Sequence, residues 1–308
     1  MINAPAPAKS PPSAATSATS LATPAEALAG RRILFIGGGN MATAMISGLV
    51  ESGLPPAQVG VVEPVAAARQ ALQERLGTQV FADAAGIDET LRFDALVLAV
   101  KPQQAAAALN ACRALLARHR DTLLVSIAAG VSIELLVSMS GGHRRVVRAM
   151  PNTPSLIGEG ISGLFAPPDA VEEDRRIARA ILASTGQVVV VDHEHLIDTV
   201  TAVSGSGPAY AFYLMEAMIE AARAGGLEPA TARLLALQTV KGAALLALAS
   251  EEPPEILRAR VTSPAGTTAA AVAVLEERGV KASVVEAVRA AASRSRQLSD
   301  EAKAAQAT

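Results

Sequence analysis

The stretch Ile33-Leu34-Phe35-Ile36-Gly37-Gly38-Gly39-Asn40-Met41-Ala42 is where residue types and spacing first suggest chemistry. Four apolar residues run into glycines and then into a helical pattern, in the order G-x-G-x-x-A. Gly37 permits a tight turn, Gly39 lets backbone approach a ligand, and Ala42 keeps the helix close to the strand. Free N–H groups at the start of that helix would hold an anion such as a pyrophosphate. Met41, Met45 and Leu49 share one face of the helix, and Gly53 can cap it. A glycine-rich turn without a ligand has the same local pattern. The strand before and the helix after favour a dinucleotide.

Glu63 stands 24 residues beyond Gly39, at the end of the next apolar run. An acidic side chain there bonds a ribose 2′-hydroxyl and repels a 2′-phosphate, which selects NAD. Arg69 lies nearby and could instead meet a phosphate, and a solvated strand-end Glu is the plain alternative. Farther on, Ser263-Pro264-Ala265-Gly266-Thr267-Thr268 reads as an N-cap followed by a first helical proline. That places the N–H groups of Gly266, Thr267 and Thr268 at a positive helix end. His193 and His195 flank Glu194, but this spacing with no further ligand cluster predicts no metal site. Lys101, before Pro102, reads as a loop contact to a cofactor rather than an acid. Tyr210 could reach the site or serve as an interface or core residue.

These segments need a scaffold, and the apolar pattern supplies one. Short aliphatic runs at 33–36, 59–63, 95–100, 123–127, 146–150 and 188–191 alternate with helical patterns. Continuous apolar strands separated by helices predict a parallel sheet covered on both faces. Beyond about residue 194 the strand signal stops. Segments 208–225, 229–250, 264–278 and 282–305 are rich in Ala, Leu, Glu and Arg and predict an all-helical second half. Its Ala-rich helices bury little area each, and 229–250 is apolar around too much of its circumference for a solvated monomer. Packing against a second subunit is the expectation.

Residues 1–28 are mostly Ala, Pro, Ser and Thr and predict a disordered tail, being too poor in large apolar side chains to dock. Prolines interrupt any secretory core, and one Lys without Arg does not suit an organelle transit peptide. The expected division is a tail over 1–28, a dinucleotide-binding domain over 30–193, and a helical domain over 194–308. The 27 Lys+Arg nearly balance 29 Asp+Glu, which argues against nucleic acid or an anionic membrane as partner. With two Tyr, five Phe and no Trp, little is left for base stacking. One cysteine, Cys112, excludes an internal disulfide and suits a reducing compartment, so a soluble cytoplasmic protein is expected. The longest uncharged run, 199–215, falls short of the roughly 20 apolar residues a membrane span needs.

Three further turns close successive strands: Ala99-Val100-Lys101-Pro102-Gln103, Ser126-Ile127-Ala128-Ala129-Gly130-Val131 and Arg148-Ala149-Met150-Pro151-Asn152-Thr153-Pro154. In an open parallel sheet they would line the same crevice as the glycine loop. Together with Val203-Ser204-Gly205-Ser206-Gly207-Pro208-Ala209-Tyr210 and Ser263 to Thr268, their order resembles pyrroline-5-carboxylate reductase over about residues 31–298. The resemblance implies a Rossmann-like α/β N-terminal domain and an all-helical C-terminal dimerisation domain. It also implies reduction of 1-pyrroline-5-carboxylate to L-proline with NADPH or NADH, the last step of proline biosynthesis. Ile36, Gly37, Gly38, Gly39, Asn40 and Met41 would hold the pyrophosphate. Ala99, Val100, Lys101 and Pro102, with Ala128 and Ala129, would frame ribose and nicotinamide.

Ser263, Gly266, Thr267 and Thr268 would bind the substrate, with its carboxylate on the helix start, and the Thr268 hydroxyl could orient the imine nitrogen. A first-turn Thr bonding only its own backbone reads equally well. The implied assembly is a homodimer or higher homo-oligomer whose subunits share the pocket. Two departures from the family pattern stand out: Ala265 replaces the first of two glycines, and Arg258-Ala259 replaces a Lys-Asp pair. Ala265 is expected to be tolerated as a helical residue. A reductase of another small cyclic imine or oxo acid, or a dinucleotide-sensing homologue without catalysis, also accommodates the motifs.

Overall fold

Ile33–Ile36 forms β1, and all four of its residues are buried. Ile33 and Phe35 point to one core while Leu34 and Ile36 point to the other, as the two-residue period of a strand requires. In the computed structural model, which describes residues 23–307, this strand lies inside an eight-stranded sheet of order β3-β2-β1-β4-β5-β6-β7-β8. The others are β2 (Val59–Val62), β3 (Gln79–Phe81), β4 (Ala95–Leu98), β5 (Leu123–Ser126), β6 (Val146–Met150), β7 (Gly160–Phe165) and β8 (Gly186–Val190). The first six run parallel, and the order reverses beside β1, where β1 pairs both β2 and β4.

Helices cover both faces. Met45, Ile46 and Leu49 of α2 (Asn40–Glu51) and Ile177 and Ile181 of α6 (Glu172–Ala183) fill one side. On the other, Leu109 and Leu116 of α4 (Ala105–Arg118) meet Leu135 and Leu136 of α5 (Ile133–Met139). Helix α3 (Ala66–Leu76) adds Leu72 to the first core.

The sheet is not wholly parallel. β7 runs antiparallel to β6, and β8 follows β7 in parallel. Neither β3 nor β7 stands out in the sequence. β3 has three half-buried residues, and β7 carries Gly160, Ser162 and Gly163 among its six. The small residues of β7 answer to packing: a Cβ on Gly163 would lie 2.6 Å from Cγ1 of Val200, on the short helix α7 (Leu196–Val200).

The disorder expected through residue 28 fails at its end; residues 1–22 lie outside the described residues. Thr23 caps α1 (Pro24–Ala27) in a capping box with Glu26, and Leu28 is fully buried against α2 and α6. Arg176 donates to the Ala27 carbonyl at 2.6 Å. The local Thr-x-x-Glu pattern is a helix start that the tail-like composition around it hides. Leu28→Ala should cost about 2–5 kcal/mol, read as a lower melting temperature; an unchanged melt would show that the docked segment contributes nothing.

After α7 a π-helical turn (Thr201–Gly205) leads into α8 (Gly207–Ala224), which pairs with α9 (Pro229–Leu248). Then come α10 (Pro254–Arg260), α11 (Thr267–Glu277) and α12 (Val280–Ala307). The last returns to the sheet domain: Ser295 Oγ donates to Asp198 at 2.7 Å, and Ser299 Oγ donates to the Gly130 carbonyl at 2.7 Å. Of α9 only Ala232 and Ala236 are buried within this chain. Among the described residues it is the helix long and apolar enough, by length and composition, to cross a membrane. It nonetheless carries Arg233 and Lys241.

Candidate active site

The carboxyl ends of β1, β2, β4, β5 and β6 open into one cleft of about 920 Å³. Open α/β sheets bind ligands at this position, where the strand order reverses. All thirteen residues expected to contact a cofactor line it. Ile36, Gly37, Gly38, Gly39, Asn40 and Met41 line it where β1 turns into α2, and Glu63 follows β2. Ala99, Val100, Lys101 and Pro102 follow β4, and Ala128 and Ala129 follow β5.

Gly37 makes the turn with φ +95°, and its N–H donates to the Val62 carbonyl at 2.9 Å. A Cβ there would lie 2.8 Å from Val100 Cγ1 and 3.0 Å from the Ala99 carbonyl oxygen. Gly39 differs: it is the N-cap of α2, and a Cβ on it would meet nothing within 4 Å. The helix therefore presents its first N–H groups to open cleft, which is the geometry an anion needs. The volume is at the upper end for small-molecule sites, and the residues present fit a dinucleotide.

Glu63 is held by two backbone donors: Gly38 N–H at 3.0 Å and Val65 N–H at 2.9 Å. Arg69 Nη1 donates to the carbonyls of Glu63 and Pro64, at 2.8 and 2.7 Å, and does not line the cleft. Tyr210 also stays outside, donating to the Ala202 carbonyl at 3.1 Å. Glu194 accepts from Arg148 at 2.7 Å and from the Ile133 N–H at 2.8 Å, joining β6 to the start of α5. His193 and His195 stack on each other with ring centroids 5.5 Å apart.

The far wall comes from the turn after β6, which the sequence placed at this crevice without separate roles for its residues, and from Gly205. Met150, Asn152 and Gly205 line the cleft. Asn152 holds them together: its amide donates to the Ser204 carbonyl at 3.2 Å and its oxygen accepts from the Ile161 N–H at 2.9 Å. The π-helical turn thus carries Gly205 against Met150, whose Cε would be 2.8 Å from a Cβ on that glycine. Irregular helical turns of this kind recur at functional sites. Asp83, after the unforeseen β3, adds a carboxylate to the rim.

Cys112 forms part of the α4 wall but is 1% exposed, and burial pushes its thiol up to about 12. Only the thiolate is nucleophilic. Iodoacetamide at neutral pH should leave Cys112 unmodified until the protein unfolds; labelling of the folded protein would show that the wall opens.

Ser263, Gly266, Thr267 and Thr268 do not line the cleft. The helix does not begin at Pro264 either. Ala265 has φ +56°, Gly266 N–H bonds the Ser263 carbonyl at 3.1 Å, and α11 starts at Thr267 with Gly266 as cap. Ala265 is therefore left-handed rather than helical, a conformation that costs an L-residue about 1–2 kcal/mol. Glycine avoids that cost. Arg258 and Arg260 pair with Glu276 and Glu252, at 2.8 and 2.5 Å, and leave the loop to its backbone donors.

Comparison with known proteins covers both halves. The family model for pyrroline-5-carboxylate reductase dimerisation matches residues 194–298, and that for NADP oxidoreductase, coenzyme F420-dependent, matches 32–130. The pyrroline-5-carboxylate reductase of Pseudomonas aeruginosa is 44% identical over 271 residues, spanning 88% of this chain and 97% of that protein. A solved pyrroline-5-carboxylate reductase from Coxiella burnetii superimposes with TM-score 0.81 at 39% identity, over 87% of this chain and 98% of that one. A pyrroline carboxylate reductase from Plasmodium falciparum with NADP bound gives TM-score 0.76 at 29% identity, over 88% and 98%.

Proposed function

Since the chain belongs to the pyrroline-5-carboxylate reductase family, we propose that its cleft and the loop 263–268 of a second subunit together form the site where 1-pyrroline-5-carboxylate becomes L-proline. The activity is NAD(P)H-dependent reduction of the cyclic imine, the proline-forming step of biosynthesis. The observation that carries the site is the open face of Gly39 at the start of α2, set inside a cleft made by five strand ends.

The bound coenzyme supplies a hydride to the ring carbon. The imine nitrogen is largely protonated near neutral pH, so the chain needs no strong acid and its work is positioning. The first-turn N–H groups of Thr267 and Thr268 hold the substrate carboxylate, and the Thr268 hydroxyl orients the nitrogen. Met150 and Gly205, fixed by Asn152, close the wall against water. In one chain the donor loop does not line the cleft, whereas α8 and α9 expose Phe212, Tyr213, Leu234 and Leu245. A dimer that buries those helices supplies the loop from its other subunit. The functional division falls near residue 193, between a coenzyme half and a helical half, and the assembled enzyme is cytoplasmic with no nucleic acid or membrane as partner.

Loss of coenzyme absorbance on adding the imine tests the reading directly. Turnover should require the imine; coenzyme binding without turnover would point instead to a sensing homologue. Thr268→Ala should raise KM for the imine about tenfold or more, the loss of one charge-assisted hydrogen bond of roughly 1.5–3 kcal/mol, with coenzyme affinity unchanged. An unaltered KM would remove Thr268 from the site.

A further inference from the structure

The geometry points to a coenzyme site that selects NADH over NADPH, with the carboxylate of Glu63 as the discriminating group. This rests on the cleft being the coenzyme site and adds which of two coenzymes it takes. At the β2 corner of the cleft, Glu63 occupies the Gly38 and Val65 N–H groups, at 3.0 and 2.9 Å. Those are the backbone donors a 2′-phosphate would need there. Two N–H bonds leave the carboxylate with unused lone pairs, which can accept from the 2′- and 3′-hydroxyls of a ribose. A phosphate offers only acceptors and negative charge, so it gains nothing from this group and is repelled by it.

Among the described residues no Lys or Arg forms an ion pair with that carboxylate, and the Arg69 guanidinium beside it is bonded to main-chain carbonyls. Glu63 and Asp83 are the two carboxylates among the described residues lining the cleft, and both stand at its β2–β3 edge. Lys101 is the one cation in that lining, and it follows β4. With β1 between them, the ends of β2 and β4 are two strand spacings apart, about 10 Å. Arg69, the basic residue closest to Glu63 in sequence, spends its Nη1 on the carbonyls of Glu63 and Pro64. It ties the two residues after β2 together and is not among the residues lining the cleft.

Fluorescence titration with NADH and NADPH, without the imine, measures the choice apart from the reaction. The unmodified protein should bind NADH at least tenfold more tightly. Glu63→Ser, which removes the charge and frees the two N–H groups, should shrink that ratio about tenfold, mainly by tightening NADPH. Glu63→Gln keeps the side chain's size and one carbonyl acceptor, so it reports the charge alone if the serine variant folds poorly; the ratio should still fall severalfold. Equal or tighter binding of NADPH by the unmodified protein overturns the assignment, as does an unchanged ratio in the glutamine variant. Because no imine is present, a failed reductase assay would overturn the proposed reaction and leave this result standing.

Discussion

Gly39→Val should weaken coenzyme binding by about a hundredfold or more while the melting temperature stays nearly constant. The two outcomes separate because of what surrounds the residue. Gly39 has φ −68°, which valine adopts without strain, and a Cβ there would meet no protein atom within 4 Å. Nothing in the fold opposes the substitution. The space it fills is the open cleft in front of α2, where the first N–H groups must come within hydrogen-bond distance of a pyrophosphate. Losing two charge-assisted bonds of about 1.5–3 kcal/mol each gives roughly two to four decades of affinity. Gly37→Val is the contrast: with φ +95° and a Cβ 2.8 Å from Val100 Cγ1, it should lower the melting temperature as well. Unchanged affinity in Gly39→Val would take the pyrophosphate away from this loop.

The double variant Leu234→Arg, Leu245→Arg should be a monomer that binds coenzyme and reduces no imine. These leucines are 67% and 54% exposed in the isolated chain and lie eleven residues, just over three full turns, apart on one stripe of α9. Burying each in a dimer is worth about 1.5–3 kcal/mol, and a guanidinium in the same place adds a desolvation cost. Sedimentation velocity reads the assembly, and the imine assay reads the consequence. The cleft belongs to one chain, so coenzyme binding survives; the loop 263–268 lies outside it, so turnover does not. A fully active monomer would refute the shared pocket, and a persisting dimer would place the interface elsewhere.

Much of the coenzyme half is legible in the residues themselves. A strand buried on both faces is apolar almost throughout, so β1 and β4 read directly as Ile-Leu-Phe-Ile and Ala-Leu-Val-Leu, and β5 as Leu-Leu-Val before the buried Ser126. Parallel strands share one carboxyl end, which brings their following turns together without knowledge of any side-chain contact. That is why residues as far apart as Gly37 and Ala129 could be assigned to a single crevice. β7 escaped because its glycines serve packing and not strand propensity: Gly163 faces Val200, 37 residues onward, and Gly160 faces Ser155 and the Thr185 carbonyl. Leu28 escaped because one leucine at the end of a proline-rich stretch shows its value only when α2 and α6 receive it.

The start of α11 shows the other limit. Ser-Pro followed by Gly-Thr-Thr reads as a capped helix, yet Ala265 turns left-handed and moves the cap to Gly266. A backbone dihedral imposed by the loop between α10 and α11 has no signature in an alanine. The family membership, the nucleotide loop and the strand ends that surround it were determined by the sequence alone, because local turn chemistry and continuous burial leave marks in residue type. Tertiary structure decided the direction of β7, the anchoring of Glu63 by Gly38 and Val65, and the docking of α12 on Gly130. Those depend on which distant groups meet, and a hydrogen bond between Ser299 and Gly130 is set by packing across 169 residues of chain rather than by either residue's own preference.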